Sequence, residues 1–263
     1  MINAREIPGN QNVVFITLDT LRYDIAQKAM DENKTPNLKA LFDQWEIRQS
    51  PGSFTYAAHH AFFAGFLPTP VNEPHQERLF SLEFEGSKTT GSRTLSFDNE
   101  TLIAGFKSIG YYTLCVGGVG FFNKKTPLGK VLPSMFCESH WDQTFSVTDK
   151  QSTKNQIEYA INRLIRREKE KFFLFINISA IHQPNYYYQI GNETKQDSIE
   201  THQLALEYVD QQLPVLFEWL KTQGTNLIIL CSDHGTSYGE DNYFGHRLAH
   251  PVVWTVPYAE FIL

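Results

Sequence analysis

The sequence predicts an α/β protein of three layers, in which helices cover both faces of a mostly parallel sheet. Four short apolar runs, each bounded by glycine, proline or polar residues, have the composition of strands: 12–18, 111–118, 172–179 and 226–232. None of them alternates between apolar and polar residues, which is typical of strands that are buried on both faces. Helical patterns lie between these runs, and strands that alternate with helices favour a parallel sheet with helices on both sides.

Four segments predict helices: 36–45, 99–110, 153–170 and 198–224. In the first, Pro36 lies near the first helical position and Thr35 is a candidate cap. The second begins at a capping residue and stops at Gly110. Pro214 lies inside the fourth and predicts a kink or a break near Gln212–Leu213.

Length and composition narrow the class of protein. The chain has 263 residues, 41% of them hydrophobic, so one large domain over 1–263 can bury a sizeable core. The irregular stretch 70–98 is interpreted as a hairpin or as a lid over the site. A net charge of -6 gives no nucleic-acid footprint, and no run of 18 apolar residues indicates a membrane segment. Three scattered cysteines and an N-terminus without an apolar stretch predict a cytoplasmic protein.

Polar residues follow the predicted strands at their carboxyl ends, where α/β sheets bind ligands. Asp19 ends the first strand, His182 follows the third, and the pair Asp233 and His234 ends the fourth. Two carboxylates and an imidazole suit Zn²⁺ or Mn²⁺ and, with further oxygens, Mg²⁺ or Ca²⁺. The alternative is that both aspartates cap the turns after their strands.

The segment 50–70 contains a helical pattern of small residues, Thr55–Ala64, preceded by Ser-Pro-Gly-Ser. A hydroxyl at a helix start lies in the positive field of the N-terminus, which favours its alkoxide and any phosphoryl group that it holds. Thr55 or Ser53 is therefore a candidate nucleophile, activated by a metal. The alternative is an ordinary N-cap hydroxyl.

Several motifs together resemble the alkaline phosphatase superfamily, in its sulfatase-like and type I phosphodiesterase branch. The resemblance covers most of the chain, its motifs occur in family order, and it implies the three-layer fold of that superfamily. The motifs are VVFITLDTLRYD (13–24), TPNLKALF (35–42), TYAAHHAFFAGFLPT (55–69), FFLFINISAIHQP (172–184), IILCSDHGTSYGEDNYFGH (228–246) and VPYAEF (256–261).

Carried over residue by residue, the resemblance implies a metal-bound nucleophile. It makes Thr55 the nucleophile, and it assigns the metal ligands as Asp19, Thr55, Asp233 and His234, with His246 as a further metal or substrate histidine. It also implies three substrate-binding candidates: His182, His59 at the Arg/His position of the nucleophile helix, and His250, for which a turn histidine is the alternative. Arg22 and Asp24 match the first motif in a supporting role.

Departures from the family pattern indicate phosphorus chemistry. Thr55 stands where sulfatases carry an oxidised Cys or Ser, Thr20 replaces a second aspartate, and Val116–Val119 replaces the segment that holds sulfate. Sulfate ester hydrolysis is therefore disfavoured.

The resemblance predicts a metal-dependent hydrolase that acts on a small phosphorylated substrate through a phospho-threonine intermediate. The alternatives are a phosphotransferase or mutase, and a degenerate member that binds metal and ligand without turnover. A second metal would need His182, His246 or His250 with a further carboxylate, for which Asp210, Glu240 and Asp241 are candidates.

Overall fold

The structure, a computed structural model, describes residues 2, 6–7, 9–65, 101–167 and 170–263, and the backbone of 80–82 and 95–97. All four predicted strands are present. The strands are β1 (Asn12–Leu18), β2 (Glu46–Gln49), β3 (Phe80–Leu82), β4 (Leu95–Phe97), β5 (Tyr112–Val116), β6 (Glu138–His140), β7 (Phe172–Ile178), β8 (Asn226–Cys231), β9 (Ser237–Tyr238), β10 (Phe244–Gly245) and β11 (Thr255–Ile262). The helices are α1 (Tyr23–Asp31), α2 (Pro36–Lys39), α3 (Thr55–Ala64), α4 (Leu102–Ser108), α5 (Pro127–Ser134), α6 (Ser152–Leu164), α7 (Ile199–Lys221) and α8 (Pro251–Trp254).

The main sheet has seven strands in the order β2-β11-β8-β1-β7-β5-β6. Five of these strands, β8, β1, β7, β5 and β6, run parallel to one another. Strand β11 is antiparallel to both of its neighbours, β8 and β2. Strand β1 is central, and its Val13 pairs with Phe173 of β7 and with Leu227 of β8. Since these three strands run in the same direction, their carboxyl ends meet at one edge of the sheet.

Two apolar cores lie on opposite faces of the sheet, as the predicted three-layer fold requires. From β1, Val14, Ile16 and Leu18 are buried in one core with side chains of α1, α2, α6 and α7. Val13 and Phe15, which point the other way, are buried in the second core with side chains of α3, α4 and α5. The α/β/α prediction is confirmed, and β1 is fully buried on both faces.

The predicted helix 36–45 is shorter in the structure, where α2 ends at Lys39. Thr35 occupies the N-cap position, but its side chain makes no capping hydrogen bond. The carboxylate of Asp210, on α7, takes that role by accepting hydrogen bonds from the backbone N–H of Leu38 (2.8 Å) and of Asn37 (3.2 Å). A residue far along the chain therefore caps this helix.

The break predicted at Pro214 is wrong, because α7 continues from Ile199 to Lys221. A proline removes the N–H that would bond to the carbonyl four residues earlier, which here belongs to Asp210. That carbonyl accepts a hydrogen bond from Asn37 Nδ2 at 3.1 Å instead. The side chain of Asn37 thus satisfies the acceptor that the proline leaves open.

The other two predicted helices are also shorter than expected. Helix α4 begins at Leu102, and Thr101 caps it by accepting from the N–H of Ala104 at 3.0 Å. Helix α6 ends at Leu164 and is followed by one 3₁₀ turn.

The stretch 70–98 is described only in part. Its strands β3 and β4 pair in parallel, which excludes a hairpin between them. The predicted lid lies outside the described residues. Within the described part of the chain, none of the helices has the length and hydrophobicity that a membrane crossing requires.

Candidate metal centre and nucleophile

Asp19, Asp233 and His234 converge at the carboxyl edge of the sheet. Strands β1 and β8 are parallel neighbours, and Thr17 pairs with Cys231, so the aspartates two residues further on lie side by side. All three side chains are buried, and one ligand atom from each lies within 4.8 Å of the others. Among the described residues, this is the one group of three or more metal-binding side chains.

Two carboxylate oxygens of this group are buried without a hydrogen-bond partner, Asp19 Oδ1 and Asp233 Oδ2. The other oxygen of each group is held by protein donors. Asn177 Nδ2 donates to Asp19 Oδ2 at 3.0 Å, while the N–H groups of Thr20 (3.2 Å) and His234 (3.0 Å) donate to Asp233 Oδ1. A buried carboxylate oxygen without a partner is costly, and a divalent cation satisfies it. The donor set therefore fits a divalent metal.

The imidazole of His234 is in the tautomer that a metal ligand needs. Its Nδ1 lies 2.8 Å from the carbonyl oxygen of Gly235, which can only accept, so Nδ1 carries the hydrogen. The Nε2 lone pair then points at the carboxylates, 3.5 Å from Asp233 Oδ2 and 3.9 Å from Asp19 Oδ1. A backbone carbonyl that orients a histidine in this way is a common partner of metal-binding imidazoles.

Burial changes the charge of the metal-free centre. It raises the pKa of Asp233 to about 7, and burial together with the charge of Asp233 raises the pKa of Asp19 to about 6. Burial also lowers the pKa of His234 to about 4. Without a cation, the centre would hold a proton on Asp233 over part of the neutral range and keep His234 neutral, and a bound cation would displace that proton.

Thr55 is the first residue of α3, and its hydroxyl points into this group. Its Oγ1 lies 3.4 Å from Asp19 Oδ2 and 3.3 Å from His234 Nε2. Phe54 occupies the N-cap position without a side-chain cap, so the alternative of an N-cap hydroxyl at Thr55 does not hold. Ser53, the other candidate nucleophile, lines a neighbouring surface cavity.

The sequence model of the Sulfatase family matches residues 11–258, which is nearly the whole chain. The chain belongs to the sulfatase family. Among curated proteins, none matches its sequence.

Solved structures of this superfamily share the fold at low sequence identity. The C-terminal periplasmic domain of phosphoethanolamine transferase EptC from Campylobacter jejuni is 16% identical with a TM-score of 0.66, over 98% of this chain and 81% of that one. The soluble domain of lipooligosaccharide phosphoethanolamine transferase A from Neisseria meningitidis is 18% identical with a TM-score of 0.65, over 97% and 77%. The periplasmic domain of EcEptC from Escherichia coli, in complex with Zn, is 13% identical with a TM-score of 0.65, over 96% and 72%.

These structures share the fold, and one of them is a complex with Zn; in this chain the case for a divalent metal site rests on its own Asp/His group. The metal of this chain is not identified by them. Two of them are periplasmic domains, so the cytoplasmic location stays a prediction.

His59 contacts the backbone of Thr55 in this sulfatase-family chain. Its Nδ1 donates to the carbonyl of Thr55 at 2.7 Å, and its Nε2 accepts from the hydroxyl of Thr17 at 2.9 Å. The hydroxyl oxygen of Thr17 accepts in turn from Asn177 Nδ2 at 3.2 Å. The ring is fully buried, and burial lowers its pKa to about 3. Both ring nitrogens of this neutral histidine thus bond to protein groups, and the structure does not bring His59 to the position of a substrate contact.

His182 and His246 lie beside His234. The ring centroid of His246 is 4.5 Å from that of His234 and 5.5 Å from that of His182. His246 Nδ1 is buried without a partner, and burial with the neighbouring histidines lowers the pKa of His246 to about 3. His182 donates from Nδ1 to the carbonyl of Gln183 at 2.5 Å, which leaves its Nε2 lone pair free. Neither ring joins the compact group of metal-binding side chains.

His250 is not part of this cluster. Its Nδ1 accepts from the N–H of Val252 as the N-cap of α8, and its Nε2 pairs with Asp241 at 3.0 Å. This placement matches the turn histidine that the sequence left as the alternative.

The carboxylates considered for a second metal are engaged elsewhere. Asp210 caps α2, Asp241 pairs with His250, and Glu240 pairs with Arg22 and accepts from the N–H of Tyr238 at 2.7 Å. The described residues thus supply one compact metal-binding group.

Asn177 on β7 is a site residue that the sequence analysis did not single out. Its amide nitrogen bonds both Asp19 and Thr17, and its Oδ1 accepts from the N–H of Val119 at 3.1 Å. The signal that could have found it is that Asn177 is the single polar residue in the otherwise apolar run FFLFINI.

The backbone of Thr20 is strained where it meets the centre. Its φ of 66° is in the left-handed region, which is unusual for a β-branched residue and costs about 1–3 kcal/mol. This conformation directs the N–H of Thr20 to Asp233.

Proposed function

We propose that the chain is a metal-dependent enzyme that cleaves esters of phosphate on a small substrate, with Thr55 as the nucleophile. One observation carries this proposal. The Thr55 hydroxyl, at the first position of a helix without a side-chain cap, lies within 3.4 Å of Asp19 and His234 beside two unpartnered carboxylate oxygens. A hydroxyl, a helix N-terminus and an anionic metal-binding group at one point suit attack on phosphorus.

Asp19, Asp233, His234 and the hydroxyl oxygen of Thr55 would hold the cation. When bound, a divalent cation lowers the pKa of a coordinated hydroxyl and offsets the charge of the phosphoryl group. With the lone pair of His234 Nε2 taken up by the cation, Asp19 Oδ2, 3.4 Å from Thr55 Oγ1, is the nearest acceptor for the Thr55 proton. The deprotonated oxygen attacks phosphorus, the ester oxygen leaves, and a phospho-threonine remains.

The first turn of α3 supplies donors to the phosphoryl oxygens. The N–H of Ala57, in the first turn, has no carbonyl four residues earlier within the helix, and Phe54 offers no side-chain cap. His182, whose ring centroid lies 5.5 Å from that of His246, is a further candidate contact for the substrate. Water then attacks the phospho-threonine and releases phosphate.

Transfer to an acceptor alcohol is the second candidate function. Two of the similar structures are phosphoethanolamine transferases, in which a phosphorus-bearing group passes to an acceptor. A phospho-threonine is chemically open to either acceptor, water or an alcohol.

We expect weak sulfatase activity at most. The segment Val116–Val119, which replaces the sulfate-holding segment, contains no charged side chain. Gly118 packs so closely on β7 that a Cβ there would lie 2.3 Å from the carbonyl oxygen of Asn177, which excludes a larger side chain.

The test is to trap the intermediate in the purified, metal-loaded protein. p-Nitrophenyl phosphate and bis(p-nitrophenyl) phosphate are mixed with wild type, Thr55→Ala, Thr55→Ser and Ser53→Ala, and the acid-quenched protein is mapped by mass spectrometry. We expect an adduct on Thr55 in wild type, a phosphoryl group from the monoester and a p-nitrophenyl phosphoryl group from the diester. The same adducts should form on the serine in Thr55→Ser, and Thr55→Ala should show no turnover. Ser53→Ala, which removes the other candidate hydroxyl, should still carry the adduct on Thr55. Full activity in Thr55→Ala would refute the proposal.

The same reactions with added ethanolamine or glycerol separate the two functions. Phosphorylated acceptor in proportion to its concentration would indicate a transferase, and inorganic phosphate alone would indicate a hydrolase. Sulfate esters of p-nitrophenol test the expected weakness toward sulfate.

A further inference from the structure

A cavity of about 410 Å³ opens beside the first turn of α3. Phe54 and Ala57, on either side of the nucleophile in sequence, line one wall. Arg247, Leu248 and Trp254, which follow the second metal motif, line the other. The cavity is thus built from the two segments that carry the candidate nucleophile and the histidine cluster, and its volume is that of a small-ligand pocket.

Arg247 is the charged group of this cavity. It directly follows His246, its side chain is exposed, and its guanidinium carbon lies 5.4 Å from the ring centroid of Phe54. The backbone N–H of Arg247 donates to the carbonyl of Ser53 at 2.8 Å, and this hydrogen bond joins the two segments. Its φ of 71° is in the left-handed region, a strained conformation that persists where surrounding contacts hold it.

The described residues give Arg247 no acidic partner within ion-pair distance, although the chain carries a net charge of -6. A guanidinium that rests on an aromatic ring presents its planar fork of N–H donors to a ligand oxyanion. The half-buried rings of Phe54 and Trp254 and the side chain of Leu248 offer apolar contact beside it.

We propose that this cavity binds the non-reacting substituent of the substrate, and that this substituent carries an oxyanion on a flat apolar group. Arg247 pairs with the oxyanion, while Phe54, Leu248 and Trp254 contact the apolar part. The inference rests on the proposed function, because it takes the occupant to be joined to the phosphorus that Thr55 attacks. It adds the substrate class: a phosphate ester with a second anionic group, a carboxylate or a second phosphate.

The test uses two chromogenic diesters that differ by one carboxylate, p-nitrophenyl phenyl phosphate and p-nitrophenyl 4-carboxyphenyl phosphate. We expect wild type to prefer the carboxylate ester in kcat/KM. Arg247→Gln should lower that preference about tenfold, as for one charged hydrogen bond, because the larger loss falls on the carboxylate ester. Arg166→Gln, at another exposed arginine, is the matched control and should keep the preference. Absence of a preference in wild type, or an equal loss on both esters in Arg247→Gln, would overturn the proposal.

A binding measurement separates failure of the subsite from failure of the proposed function. Metal-loaded Thr55→Ala, with and without Arg247→Gln, is titrated calorimetrically with phenyl phosphate, 4-carboxyphenyl phosphate and 1,4-phenylene bisphosphate. Tighter binding of either doubly anionic probe that depends on Arg247 supports the subsite, even if no diester is turned over, and the tighter one identifies the oxyanion. Equal affinities for all three probes refute the subsite, whatever the enzyme hydrolyses.

Discussion

Replacing Asp233 by Asn should stabilise the metal-free protein and abolish metal binding. Asp233 Oδ1 accepts two backbone hydrogen bonds, and the amide oxygen of Asn can accept both. Oδ2 is buried without a hydrogen-bond partner, so the change removes a charge and leaves the backbone contacts. In the proposed metal site this carboxylate binds the cation, and without a cation its burial destabilises the folded protein.

The size of the effect follows from the pKa of Asp233, which burial raises from 3.8 to about 7. A rise of this size corresponds to about 4 kcal/mol when the carboxylate ionises in the folded protein. Relaxation of the site reduces the value, and a gain of about 2 kcal/mol would raise Tm by about 4–8 °C. The sign follows from the raised folded-state pKa: the stability due to this group is fully present below pH 3.8 and is lost as pH rises through about 7.

The assay is thermal unfolding in a chelator at about pH 7.5 and at about pH 4.5, where the difference between the variants should fall to about a quarter. Asp43→Asn, at an exposed position, controls for the loss of one negative charge and should leave Tm almost unchanged. Adding Zn²⁺ or Mn²⁺ should raise the Tm of wild type but not of Asp233→Asn. If Asp233→Asn is no more stable than wild type in chelator at the higher pH, the reasoning is refuted.

Three further predictions concern the surroundings of the centre. Asn177→Asp places a carboxylate against Asp19 and should lower the unfolding free energy of the metal-free protein by about 1–3 kcal/mol in urea titrations, a loss that metal reduces. His59→Gln should keep the metal, measured by elemental analysis, but should lower kcat about tenfold with little change in KM, because the carbonyl of Thr55 loses its hydrogen bond to His59. Loss of the metal instead would contradict this role. Gly235→Ala puts a Cβ 2.0 Å from a backbone carbonyl and should destabilise the fold by about 3 kcal/mol in denaturant unfolding. Its matched control Gly105→Ala, in a helix with open space around it, should stabilise by about 0.5–1 kcal/mol.

Local patterns predicted the sheet well. Strand β1 has the predicted bounds, 12–18, because a short apolar run with β-branched residues between polar ends suits a strand buried on both faces. Asp19 and Asp233 were expected at strand ends, and parallel pairing then requires them to lie at one edge. The family was predicted from motifs in order along the chain, and the family match confirms it.

The partners of polar side chains could not be predicted in this way. Asp210 was considered as a metal donor, but it caps α2, and Asn37 compensates for Pro214 in return. A local pattern records neither contact, since the partners lie 172 and 173 residues apart in the chain.

What the sequence alone determined is therefore the order of strands and helices, the family, and the residue types at the strand ends, because backbone hydrogen bonding and burial follow periodic local patterns. Tertiary structure decided which side chains meet. It placed the hydroxyl of Thr55 against Asp19 and His234. It also placed His59 against the carbonyl of Thr55, and the guanidinium of Arg247 over the ring of Phe54. Such meetings depend on how distant segments pack across the sheet, and a one-dimensional pattern does not contain those distances.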